Sequence, residues 1–174
     1  MGALEQYVFI VCGFFWGLQD PEPTKDQSSS CEEIVITSLS TGEDPTLMLS
    51  IAWHESTFRS RVKSPAGAIG PLQVLPRYWC PQGSRKGCDL ISAGFKAWTT
   101  YFKMEKGNEK QALCRYNSGR KCASSSAALR YSKRVLETRD ALVASIFSNW
   151  QHHRVSENCA RCPECCTEMN APGR

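Results

Sequence analysis

The chain has 174 residues and a mass of 19.4 kDa, enough for one globular domain with extensions and too little for a multidomain enzyme. Lys and Arg number 21 against 17 Asp and Glu, giving a net charge of +4 and a pI near 8.5. That mild surplus favours anionic polymers or surfaces and lacks the concentrated basic face of a nucleic-acid binder. A hydrophobic fraction of 41% excludes a wholly disordered chain, and no apolar run reaches the roughly 18–20 residues that a spanning helix needs.

Residues 7–18, YVFIVCGFFWGL, are almost wholly apolar and have the length of a signal-peptide core. The residues before them hold Glu5 and no Lys or Arg, and QDPEP follows where a small-x-small cleavage site belongs. Val11 also stands where lipidation of Cys12 expects a small residue. Two readings stay open: an export signal or anchor associating the chain with a membrane or envelope, or an apolar helix packed on another part of the protein. Residues 19–30, QDPEPTKDQSSS, read as a linker. The chain therefore divides into an apolar segment and linker (1–30), a compact domain (31–150) and a Cys-rich tail (151–174).

Within the domain, Asp44-Pro45 is a helix start, with Asp as N-cap and Pro at the first helical position. The sequence TLMLSIAWHESTF follows as an amphipathic helix, with Leu47, Ile51 and Phe58 on one stripe beside Met48 and Ala52. The stretch KSPAGAIGPLQVLP is loop-like. Helical patterns return over roughly 89–105, 108–116 and 124–147. β-branched alternation is scarce apart from EIVIT at 33–37, so the fold class is mostly α. The tail carries His152, His153 and four thiols in C-x2-C-x2-C-C spacing. Zinc sites usually separate two ligand pairs by about a dozen residues. The crowded spacing reads better as a flexible or disulfide-tangled tail, and no metal is assigned.

Ten cysteines in so short a chain point to disulfides and an oxidising compartment, or to a metal. Cys80/Cys88 and Cys114/Cys122 share one separation, and each pair brackets a polar loop. Local bridges fit both loops, while swapped pairings stay open because four cysteines allow three connectivities.

Glu55 lies near the end of its helix, flanked by Trp53 and Phe58, just before the Gly/Pro-rich loop that holds Gln73. A partly desolvated carboxyl there would have a raised pKa and suit general-acid work. His54 adjoins it but points about 100° away around the helix and takes no catalytic role. Trp79, Trp98 and Tyr101 are candidates for stacking on a ligand, although helical spacing places Trp98 and Tyr101 in the core.

Read in order, Glu55-Ser56, Ser64, Gly67-Ala68-Ile69-Gly70, Gln73-Val74-Leu75-Pro76, Tyr116-Asn117-Ser118-Gly119 and Tyr131 make a pattern spanning roughly residues 44–140. The pattern resembles the soluble lytic transglycosylase family, a branch of the lysozyme-like superfamily. The resemblance implies a small helical domain with a substrate groove, acting without a cofactor on peptidoglycan glycan strands. It makes Glu55 the catalytic acid/base. Ser64, Gln73, Tyr116, Asn117 and Tyr131 become residues that line the groove or orient the acid. Pro71, Leu72 and Arg115 depart from the family's usual Leu, Met and Ala, and the four domain cysteines look like additions.

One observation on the residues bears on the reaction. Most glycoside hydrolases use two carboxyls, yet no Asp or Glu lies between Glu55 and Asp89, while Arg59, Arg61, Lys63, Arg77, Arg85 and Lys86 do. One acid suffices if the substrate's own hydroxyl is the nucleophile; Asp89 or a residue distant in sequence is the alternative second carboxyl. The basic run reads either as a solvated loop or as a rim attracting an anionic wall polymer. The leading expectation is cleavage of the MurNAc-GlcNAc bond with 1,6-anhydro-muramic ends, in the cell envelope, periplasm or outside the cell. Wall turnover, a secretion or conjugation machine and a phage particle are all compatible settings. A goose-type-like muramidase that hydrolyses the same bond, and a non-catalytic peptidoglycan-binding or virion component, are the alternatives.

Overall fold

In a computed structural model that describes residues 2–18 and 22–161, the chain is helical, with only isolated bridges between extended residues. The helices among the described residues are α1 (Ala3–Gly17), α2 (Lys25–Thr41), α3 (Pro45–Ser56), α4 (Pro76–Trp79), α5 (Leu90–Met104), α6 (Glu109–Ser118) and α7 (Ser126–Arg161). Short 3-10 turns at Pro81–Gly83 and Gly119–Ser124 follow α4 and α6.

α3 is the axis of the core. Asp44 Oδ1 accepts from the Thr46 amide at 2.8 Å, and Pro45 occupies the first turn. Met48, Leu49, Ile51 and Ala52 are all fully buried, so this helix is apolar around most of its girth. Such a helix belongs in the interior rather than on a surface, and the amphipathic stripe expected from sequence is replaced by enclosure between α2 and α7. α7 supplies Tyr131, Val135 and Leu142 to that enclosure.

Two local expectations need correction. Residues 25–30 do not form a linker: Thr24 and Gln27 make a capping box that starts α2. EIVIT at 33–37 is part of the same helix. Cys31, Ile34, Val35 and Ser38 recur at helical spacing and are buried, while Ile36 stays exposed, so core packing overrides β propensity.

Of the two readings of residues 7–18, this structure has the packed helix. Val8, Val11, Cys12 and Phe15 enter the core, and a disulfide joins Cys12 to Cys31 of α2. Phe15 and Trp16 meet Trp53 and Phe58 edge-on, with ring centroids 5.1–6.2 Å apart. α1 thereby buttresses the end of α3. Among the described residues no helix is long and apolar enough to cross a membrane. The four tail cysteines, with His152 and His153, lie outside the residues whose side chains are described.

Candidate active site

Glu55 lies in the last turn of α3, and the chain leaves that turn abruptly. Thr57 and Phe58 both take left-handed backbone, with φ of 53° and 62°. For residues other than glycine this costs about 1–2 kcal/mol each. The fully buried Phe58 ring and two bonds hold it in place: Thr57 N–H donates to Trp53 O at 2.9 Å, and Ser56 Oγ donates to Pro71 O at 2.8 Å. The second bond ties the end of α3 to the following loop.

That loop is organised by its own polar groups. Ser64 Oγ accepts from the Ala68 amide at 3.0 Å and closes a turn through Gly67. Gly70 sits at φ +79° with Leu90 against the position a Cβ would take, 2.8 Å from Leu90 Cδ1, so only glycine fits without displacement. Gln73 Nε2 donates to Gly70 O at 3.0 Å and Val62 O at 3.3 Å. Its side-chain amide therefore pins the loop from within.

The Glu55 side chain is half-buried. Loss of solvent raises its pKa to about 7, and the Tyr131 hydroxyl opposes part of that rise. Tyr131 is itself buried, and its hydroxyl has no hydrogen bond of regular geometry, so it faces the carboxyl without being fully aligned to it. Tyr116 completes the surround. Its hydroxyl donates to Leu72 O at 2.7 Å; burial pushes the pKa values of both phenols well up, and the negative field of Glu55 adds to the rise. A carboxyl with this environment is substantially protonated near neutral pH and can both give and take a proton.

Among the described residues no carboxylate acts on Glu55 with a resolved effect. Asp89, left open from sequence as a second acid, caps α5: its Oδ1 accepts from the Ile91 and Ser92 amides at 3.0 Å each, and its field falls on Glu33.

A cleft of about 280 Å³ opens beside this group. Gln73, Tyr78 and Trp79 form one wall, Asn117 and Gly119 the other, and Tyr101 and Tyr116 the floor. The rings interlock, Tyr101 lying edge-on to Trp79 at 5.5 Å and to Tyr116 at 6.2 Å. Glu55 is not itself in the lining; Tyr116 connects the carboxyl's surround to the cleft. Of the residues expected from sequence, Gln73, Tyr116 and Asn117 come together here, and Tyr131 is placed on the acid instead of the cleft. Ser64 lies outside the lining, engaged in its turn.

Trp98 is core, only 1% exposed. Tyr101 is half-buried between that core and the Val74–Cys80 segment, toward which α5 also turns Ala93 and Ala97, and it lines the cleft. Each wall ends in a disulfide-closed loop, Cys80–Cys88 and Cys114–Cys122, so both local pairings are the ones present. Among the residues whose side chains are described no cysteine is free and no cluster of ligands suits a metal. The tie from Tyr116 to Leu72 has no sequence signature, because a backbone carbonyl leaves none.

A family model, the transglycosylase SLT domain, matches residues 34–137, which is more than half of the chain. The chain belongs to that family. Neither among curated proteins nor among solved structures does anything match it. The SLT match includes Glu55, the loop through Gln73 and the cleft walls; α1 and its aromatic contacts precede it. At the level of the family, this SLT protein has transglycosylase-type activity on peptidoglycan.

Proposed function

We propose that the protein is a lytic transglycosylase that cleaves the MurNAc-GlcNAc β-1,4 bond and leaves 1,6-anhydro-muramic acid ends. The observation that carries this reading is a single carboxyl, raised to about 7 by burial, on which no second carboxylate among the described residues acts. Protonated Glu55 donates to the glycosidic oxygen as the C1–O bond breaks, and charge develops on the sugar as an oxocarbenium ion. The muramic C6 hydroxyl then attacks C1, and its proton returns to Glu55. The proton inventory closes on one residue. Intramolecular attack needs no base-activated water, because effective molarities for well-oriented groups reach about 10⁵–10⁸ M.

In this scheme Tyr131 orients the acid, while Asn117, Trp79 and the Gln73 loop receive the glycan. An oxidising envelope or extracellular setting agrees with the three disulfides. Mass spectrometry of the muropeptides released from sacculi tests the reading. Anhydro ends, one water lighter than hydrolysed ends, are expected from the wild type and are absent with Glu55→Gln. Hydrolysed ends from the wild type would replace this reading with a muramidase.

A further inference from the structure

The charges of this chain are segregated. Residues 56–88 and 110–136 carry 13 of the 21 Lys and Arg and none of the 17 Asp and Glu. These two segments supply both walls of the cleft. Five of the 13 stand on the two disulfide-closed loops: Cys80–Cys88 encloses Arg85 and Lys86, and Cys114–Cys122 encloses Arg115, Arg120 and Lys121. Arg115 is taken by Glu105. Arg85, Lys86, Arg120 and Lys121 are exposed and make no ion pair among the described residues.

Arg77 adds a fifth charge, its guanidinium held 4.7 Å from the centre of the Tyr78 ring, which itself lines the cleft. The backbone of the first loop packs on it, since a Cβ at Gly83 would lie 3.5 Å from Arg77 Cα. Cations that served only solubility would be interspersed with acids. The loops that carry them hold no acid, continue from the two walls of the cleft, and are covalently closed at their ends.

We propose that the two loops form a carboxylate-binding rim that reads the peptide stems of the glycan, so that the preferred substrate is a strand whose stems carry free carboxylates. The proposal deepens the transglycosylase reading and rests on it for the position of the glycan. Neutral cleft walls would bind the sugar alone; this rim adds attraction for the anionic stems projecting from alternate sugars. Reducing the local negative charge of the strand then weakens binding without touching the reacting bond.

The test compares two sacculus preparations, one native and one with stem carboxylates amidated by ammonia and carbodiimide. Wild type and the quadruple variant Arg85→Gln/Lys86→Gln/Arg120→Gln/Lys121→Gln are assayed on both. Muropeptide release gives KM, and co-sedimentation of the same proteins carrying Glu55→Gln gives binding without turnover. The wild type is expected to favour native over amidated sacculi by about tenfold in KM and in binding, the scale of a few exposed ion pairs, with the preference shrinking as salt rises. The quadruple variant should lose the preference, and a quadruple Lys/Arg exchange at the same positions should keep it.

Equal affinity of the wild type for both preparations overturns the proposal, as does a preference that survives in the quadruple variant. The end chemistry of the products is read separately. Hydrolysed ends with an intact carboxylate preference would remove the transglycosylase reading and leave the rim; anhydro ends without a preference would do the reverse.

Discussion

Replacing Glu55 by Gln tests the buried carboxyl through stability as well as through activity. The native state holds the Glu55 proton up to about pH 7, whereas an unfolded glutamate releases it near 4.5. Between those values the native state binds more protons than the unfolded one, so stability declines as pH rises. At ~1.4 kcal/mol per pH unit the full window amounts to ~3 kcal/mol, and the solvated part of the half-buried side chain lowers that somewhat. Gln is nearly isosteric and cannot ionise. The variant should therefore match the wild type near pH 4 and exceed it in stability by ~2–3 kcal/mol at pH 8, or about 5–10 °C in Tm for a chain of this size. Asp26, Asp89 and His54 have shifted pKa values too, but they are common to both proteins and cancel in the difference. Urea unfolding of the pair at half-unit steps from pH 4 to 8 measures it. A stability difference that stays flat across this range refutes the dehydrated acid, whatever the variant does to turnover.

Tyr131→Phe removes the hydroxyl that opposes the rise in Glu55; the alkaline limb of the pH–rate profile, expected near 7, should move upward, with under about 1 kcal/mol lost in stability because that hydroxyl makes no regular bond. Gly94→Ala places a Cβ 2.4 Å from Leu72 Cδ1 and 2.6 Å from its Cβ. Overpacking of this kind costs about 1–3 kcal/mol, and since Leu72 O holds Tyr116, the change should lower kcat as well as the unfolding midpoint. Removing the Cys12–Cys31 bridge, which spans 19 residues, with Cys12→Ser/Cys31→Ser should cost ~3 kcal/mol on the chain-entropy model. Tryptophan fluorescence should report release of the α1 aromatics at denaturant concentrations below the global transition; a single coincident transition with no loss would show that packing alone holds α1.

Much of this molecule is local in origin. The start of α3 follows from Asp44 and Pro45, because a side-chain acceptor and a preset φ act within one turn. The turns at Gly67 and Gly70 follow from the need for positive φ. The two disulfide loops, each with a sequence separation of 8, were one of three pairings the sequence allowed, favoured because their cysteines are close along the chain. Loss of water at Glu55 was expected from its neighbours Trp53 and Phe58, but those rings pack on Phe15 and Trp16, and Tyr131 and Tyr116 are the groups that interact with the carboxyl.

Contacts between distant segments decided the rest. EIVIT has strand propensity but becomes helix because Ile34 and Val35 are wanted on one face against α1 and α3. Whether residues 7–18 stand apart or pack depends on Phe15 finding Trp53 and Phe58, a pairing across some forty residues that no local pattern encodes. Tyr101 looks like core by spacing, yet it borders the cleft because the segment packed over α5 ends there. The placement of Tyr131 and Tyr116 around Glu55 likewise arises only when α6 and α7 close on α3. Periodicity and capping are short-range physics and can be read along the chain. Which buried face meets which is settled by how the faces fit together in three dimensions, and that fit sets two phenols about Glu55 and puts one of them, Tyr116, on the cleft as well.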